Sequence, residues 1–215
     1  MGIIGSTGCG KTTLVHLIPR LYDVDSGEVL VDGINVKDYS LKNLRSGVSI
    51  VLQNNVLFSG TIRDNLMWGD EDADEETITH FAKSAQAHDF ITLSPNGYDT
   101  ELGQGGVNVS GGQKQRLCIA RTLLKRPKIL ILDDSTSAVD TATESRIQEN
   151  FSKDLLHTTK IIIAQRISSV MDADKIVVMD EGKITDMGTH SELLQSCETY
   201  REIYSSQMDK AVTAS

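Results

Sequence analysis

The sequence predicts an α/β fold built on a mostly parallel sheet. Three observations point to it. Segments with strand character alternate with segments of helical period. The apolar run KILILDD (Lys128 to Asp134) ends in two acids, as a strand buried on both faces does. A glycine-rich loop, GSTGCGKT (Gly5 to Thr12), stands between a strand end and a helix start.

The elements follow in order. Met1 to Ile4 reads as a strand end, and Thr12 to Leu21 as a helix with Leu14, Leu17, Ile18 and Leu21 on one face. Gly27 to Val36 alternates around Asp32-Gly33, which is a hairpin signal. Val48 to Gln53 is a buried-strand candidate. Thr77 to Leu93 and Gln113 to Leu124 have helical patterns. Lys160 to Arg166 is a further strand, Lys175 to Gly188 a hairpin and Glu192 to Gln207 a terminal helix, with Asp209 to Ser215 expected to fray. The stretch from about 54 to 126 is poor in strands and reads as a helical subdomain inserted in a single domain spanning 1–215.

Composition narrows the function classes. The chain has 215 residues and a formal net charge of −9, from 30 acidic and 21 basic side chains. That balance argues against a nucleic-acid partner, which needs clustered Lys and Arg. Three scattered cysteines give neither a disulfide framework nor a zinc spacing. No apolar run approaches the ~20 residues of a membrane span, so any membrane role needs an anchor elsewhere.

The loop Gly5-Ser6-Thr7-Gly8-Cys9-Gly10-Lys11-Thr12 fits G-x-x-x-x-G-K-[ST] fully. Glycines let backbone N–H groups converge on phosphate oxygens, and the helix that follows adds its N-terminal dipole. In that pattern Lys11 reaches the β- and γ-phosphates and the Thr12 hydroxyl ligates Mg²⁺. Asp133 ends an apolar strand, where it can hold Mg²⁺ through water, and Asp134 stands where a base faces attacking water. Between these motifs, Ser110-Gly111-Gly112-Gln113 opens a second helix, a second anion-binding terminus in one chain.

With these motifs in order, the sequence resembles the ATP-binding cassette family over nearly its whole length. The resemblance implies a RecA-like P-loop NTPase core with ATP and Mg²⁺ as cofactors. Nucleotide contacts are then expected from Gly5 through Thr13, and metal contacts from Thr12, Gln53 and Asp133. It also implies a signature loop, Ser110 to Gln113, that closes over ATP held by a second nucleotide-binding domain. Gln53 matches the glutamine that senses Mg²⁺ and couples to a transmembrane domain, and SAVD (Ser137 to Asp140) matches a loop at the dimer interface. LQNNVLFSGTIRDNL (Leu52 to Leu66), GYDTELGQGGVNVSGGQ (Gly97 to Gln113) and GTHSELL (Gly188 to Leu194) look exporter-like. The expected setting is the cytoplasmic face of a membrane, below the coupling helices of a transmembrane domain. Val56, Leu57, Phe58, Ile62 and Leu66 fit either a docking groove for those helices or a plain core.

Three departures from the family pattern shape the expectation. The antiparallel strands and adenine-stacking aromatic that the family carries upstream are missing, so the chain reads as a piece cut at the phosphate loop. Asp134 stands where active cassettes usually have Glu. Its carboxylate is about 1.5 Å shorter in reach, and a general base must lie within ~2.6–3.2 Å of its proton source. Gln165 stands where the family usually has His, and it cannot carry a positive charge. Asp134 and Gln165 remain the expected catalytic pair of an impaired ATPase site. The intact signature loop suggests that this chain is the degenerate half of a heterodimer. The alternatives are a non-hydrolytic ATP-gated clamp and a homodimeric cassette that tolerates both changes.

Overall fold

The computed structural model describes residues 1–134 and 138–213, with side chains through Met208. In chain order the first elements are β1 (Gly2–Gly5), α1 (Lys11–His16), β2 (Leu30–Val31), β3 (Ile34–Asn35), α2 (Leu41–Gly47) and β4 (Val48–Val51). The middle of the chain forms β5 (Gly60–Thr61), α3 (Ile62–Met67), α4 (Glu75–Ser84), α5 (His88–Thr92), β6 (Glu101–Leu102) and α6 (Gly111–Leu124). Then come β7 (Ile129–Asp133), α7 (Thr141–Asp154), β8 (Thr159–Ile163), β9 (Ile176–Asp180), β10 (Lys183–Gly188), α8 (His190–Ser196) and α9 (Glu198–Thr213). The mixed α/β class with a mostly parallel sheet is the one the sequence predicts.

Several boundaries differ from the expected ones. Helix α1 stops at His16, five residues before the expected end, and the chain continues in tight i→i+3 turns at Leu17, Ile18 and Arg20. Pro19 has no N–H for a further helical bond, and Arg20 takes φ 52°. The expected Thr77–Leu93 helix is two helices, because Gln86 adopts φ 55° between α4 and α5. The terminal helix is likewise split at Cys197, and α9 runs on to Thr213, beyond the point where fraying was expected. Helix α7 gave no readable period. Only Ile147 and Phe151 of its apolar residues are buried, too sparse a stripe against TATESRIQENFSKD.

The chain divides into two compact units: residues 1–48, 131–134 and 159–215, and residues 49–130 and 135–158. In the first, the strand order is β10-β9-β1-β8-β7. Strand β1 runs parallel to both β8 and β9, with Gly2 opposite Ile162 on one side and Ile176 on the other. Strand β10 returns antiparallel to β9 through the left-handed pair Glu181-Gly182. Ile4, Ile176 and Val178 from the strands pack with Ile167, Leu193 and Tyr200. The expected hairpin at Asp32-Gly33 forms as β2 and β3, with both turn residues at positive φ. In the second unit, α6 packs against α3 and α4, and α4 against α7. Strands β5 and β6 form a short antiparallel ladder there. Two helix starts there are chemically marked: Thr61 and Asp64 form a capping box on α3, and Asp74 caps α4. Among the described residues no helix is long and apolar enough to cross a membrane.

Candidate functional site

Strand β1 delivers the glycine-rich loop. At Gly5 an added Cβ would lie 2.0 Å from the Met179 carbonyl oxygen of β9, so only glycine fits. The loop ends at Gly10, φ 95°, a left-handed N-cap for α1 that offers no side chain to the first-turn N–H groups. Lys11 follows, and only 8% of its surface is exposed. Its ammonium donates to the carbonyls of Gly5 and Ser6, both at 2.8 Å, and faces the buried Cys9 thiol at 3.7 Å. The β9–β10 turn braces the loop from outside. The Gly182 N–H donates to the Cys9 carbonyl at 3.2 Å, and the Ser6 hydroxyl to Asp180 Oδ1 at 3.2 Å. A deeply placed cation bonded to neutral carbonyls, beside a helix start without a side-chain cap, is the donor set of an anion site.

Asp133 ends β7 and is 2% exposed. Its Oδ1 accepts the Thr12 hydroxyl at 3.0 Å, so two of the three expected metal ligands meet directly. Burial pushes the Asp133 carboxyl above its ordinary value, against the opposing pull of the Thr12 bond and of His16. His16, one turn after Thr12 on α1, places Nε2 3.8 Å from Asp133 Oδ2, and that nitrogen is buried without a hydrogen-bond partner. Sequence reading passed over His16, although its i+4 spacing from Thr12 marks the same helix face. The oxygen pair suits a hard cation that keeps several waters. Among the described residues no cluster of three or more His, Cys, Asp or Glu could hold a metal alone.

Asp134 takes φ 47°, a left-handed conformation that Asp enters more readily than most residues, and its N–H donates to the Ile163 carbonyl at 3.0 Å. Its carboxylate Oδ2 accepts the Gln165 Nε2–H at 2.7 Å. The two residues that depart from the family pattern are therefore bonded to each other, which neither position discloses alone.

The remaining expected contacts lie in the second unit. Ser110 and Gln113 form a reciprocal capping box on α6: the Ser110 hydroxyl accepts the Gln113 N–H at 3.2 Å, and Gln113 Oε1 accepts the Ser110 N–H at 2.9 Å. Gly111 and Gly112 lie under Ala138, where a Cβ on Gly112 would come within 2.9 Å of the Ala138 carbonyl oxygen. The buried Gln115 fixes the same segment by accepting the Ala138 N–H at 3.2 Å. Asp140 caps α7 through the Thr143 N–H at 2.9 Å, a bond that holds its carboxyl below the ordinary range. Ser137, the first residue of the expected interface loop, lies outside the described residues. Gln53 is exposed in the loop after β4. The apolar group after it divides: Leu57, Ile62 and Leu66 are core, whereas Val56 and Phe58 are exposed. Phe58 stacks on the exposed Trp68 with centroids 4.6 Å apart.

Residues 1–137 match the family model described as ABC transporter. An uncharacterised ABC transporter ATP-binding protein, YfiB of Bacillus subtilis (strain 168), is 49% identical over 210 residues. The match takes in 98% of this chain and 36% of YfiB. A putative multidrug export ATP-binding/permease protein of Staphylococcus aureus (strain NCTC 8325 / PS 47) is 48% identical over 207 residues, 96% of this chain and 36% of that protein. Among solved structures, a bacterial Atm1-family ABC exporter with ATP bound superposes with a TM-score of 0.93 at 41% identity. That superposition covers 96% of this chain and 36% of the exporter. The chain thus spans little more than a third of the length of these relatives, and it belongs to the ABC transporter family.

Proposed function

We propose that the chain is the nucleotide-binding domain of an exporter, binds Mg-ATP, and serves as the degenerate half of a heterodimer. The relatives' names and the exporter likeness support the setting. The observation that carries the finer reading is the 2.7 Å bond from Gln165 to Asp134.

In this reading, Lys11 exchanges its two carbonyl partners for phosphate oxygens, which match its charge. Thr12 and Asp133 hold Mg²⁺, an ion that neutralises charge on the β- and γ-phosphates when bound. Asp134 is the candidate base, with a short side chain and one carboxylate oxygen engaged by Gln165. Gln165 donates hydrogen bonds without positive charge, so it supplies less to a developing negative charge than an imidazolium does. The chain's own site then holds ATP and turns it over slowly. The signature residues Ser110 to Gln113 serve the partner's site, with Asp140 on the same packed segment. The exposed Val56, Phe58 and Trp68 are the face for a transmembrane domain's coupling helices, on the cytoplasmic side of the membrane.

The test is reconstitution of the assembled transporter with Ser110→Ala or Asp134→Asn in this chain. Ser110→Ala removes a phosphate-facing group from the competent site and should lower turnover on the order of a hundredfold. Asp134→Asn should cost far less. If Asp134→Asn abolishes turnover, this half is catalytic and the asymmetry is withdrawn.

A further inference from the structure

The segment that carries Gln165 is held by α9. On α9, Tyr200, Ile203, Tyr204 and Gln207 fall at i, i+3, i+4 and i+7, one helix face. The first three pack into the first unit's core around Ile4, Ala164 and Ile167, with Tyr200 fully buried. Gln207 closes the stripe with an amide. Its Oε1 accepts the Ile167 N–H at 2.8 Å, and its Nε2 donates to the Gln165 carbonyl at 2.7 Å. The two bonds flank Arg166 as a neighbouring strand would, although β8 has already ended at Ile163. Only one orientation of the amide satisfies both partners, so the network fixes it. The Gln165 side chain leaves this clamped backbone to reach Asp134 at 2.7 Å.

We propose that Gln207 is a positioning residue for Gln165, and that docking of α9 thereby sets the geometry of the Gln165–Asp134 pair. The inference rests on the reading of Gln165 as the residue that meets the reacting phosphate. The physical basis is where the segment leaves the sheet. The Ala164 N–H still donates to the Ile3 carbonyl of β1 at 3.3 Å, after which the chain departs from the line of β8 for the short turn at Ile167–Ser169. Without the amide of Gln207, the Gln165 carbonyl and the Ile167 N–H lose the bonds that fix the segment's rotation. A displacement near 1 Å at a reacting group can cost on the order of a hundredfold.

The experiment has two arms on the full chain. In the first, without nucleotide, amide hydrogen exchange is compared between the unaltered chain and Gln207→Met. Exchange at Ile167 should rise roughly tenfold, the worth of one ordinary hydrogen bond, while Ile161 to Ile163 in β8 stay protected. Unchanged exchange at Ile167 would overturn the proposal. In the second arm, the slow Mg-ATP turnover of this chain's own site is measured for Gln207→Met, for Gln165→Ala and for the two together. Gln207→Met should lower turnover severalfold by itself and add almost nothing in the Gln165→Ala background, because coupled residues are not additive. An equal loss in both backgrounds makes Gln207 merely structural and sinks the proposal. Should Gln207→Met also release β8, Gln207→Glu replaces it in both backgrounds. Glu keeps an acceptor for the Ile167 N–H and repels the Gln165 carbonyl. A chain that binds no Mg-ATP refutes the nucleotide reading and leaves the clamp to be decided by the exchange arm.

Discussion

The loops that open α1 and α6 look alike in sequence, both rich in glycine and both leading into a helix, yet they finish differently. At α6 the loop satisfies itself. Ser110 and Gln113 each accept the other's backbone N–H, and the start of the helix is exposed. At α1 the cap is a left-handed glycine without a side chain, and a buried lysine is bonded to two carbonyls of its own loop. The α1 loop holds a cation on neutral carbonyls that an anion can replace, beside a helix start without a side-chain cap, whereas the α6 loop has to give up its reciprocal cap before its side chains can reach an anion. An intact motif therefore fixes a helix start, while its chemical readiness depends on how that start is capped.

The contrast is broken or sharpened most strongly at the glycines. Gly5→Ala drives a Cβ into the Met179 carbonyl at 2.0 Å and should cost about 3 kcal/mol or more of stability in urea unfolding. Gly112→Ala meets the Ala138 carbonyl oxygen at 2.9 Å and should cost about 1–2 kcal/mol, an ordinary overpacking penalty. A larger loss at Gly112 would mean that the α6 loop, and not the phosphate loop, is the more constrained of the two.

The next effect is on binding. Lys11→Ala should weaken Mg-ATP binding to the full chain by roughly a hundredfold in calorimetry, the worth of its charge-assisted bonds. Ser110→Ala should leave the same affinity within about twofold, since in the proposed reading that residue serves the partner's site and not this chain's own. Equal losses would place both loops on one nucleotide within a single chain.

The smallest effect concerns the acid beside the phosphate loop. Burial raises the Asp133 carboxyl, so the folded chain binds that proton more tightly than the unfolded chain does. The stability this group contributes is then present below the unfolded value and lost as pH rises through the raised one. With metal chelated, Asp133→Asn should stabilise the chain by about 0.5–2 kcal/mol at pH 7. The gain should vanish below about pH 4, near the unperturbed aspartate value. A destabilised Asp133→Asn chain at pH 7 would show that the carboxylate is compensated in place, and that the phosphate loop does not wait for a cation.

The sequence by itself determined the fold class, the glycine-rich loop, the capping signature at Ser110, the strand-end acids and both hairpins. These are local patterns: spacing, turn chemistry and period survive without knowledge of neighbours. It misjudged α1, α4–α5 and α8–α9, where left-handed residues or a broken period end helices that the apolar pattern continues, and it missed α7, whose buried residues are too few to show a period. Only the tertiary structure brought Gln165 onto Asp134, set His16 beside Asp133 and laid Gln207 across the segment that carries Gln165. Those contacts join residues 31, 117 and about 40 positions apart. Their existence depends on the strand order β1-β8-β7 and on the docking of α9, which no local period encodes. The sequence marked Asp134 and Gln165 as two separate departures; the fold made them one pair, because a 2.7 Å bond is decided by the placement of strand ends and not by the residues on either side of each.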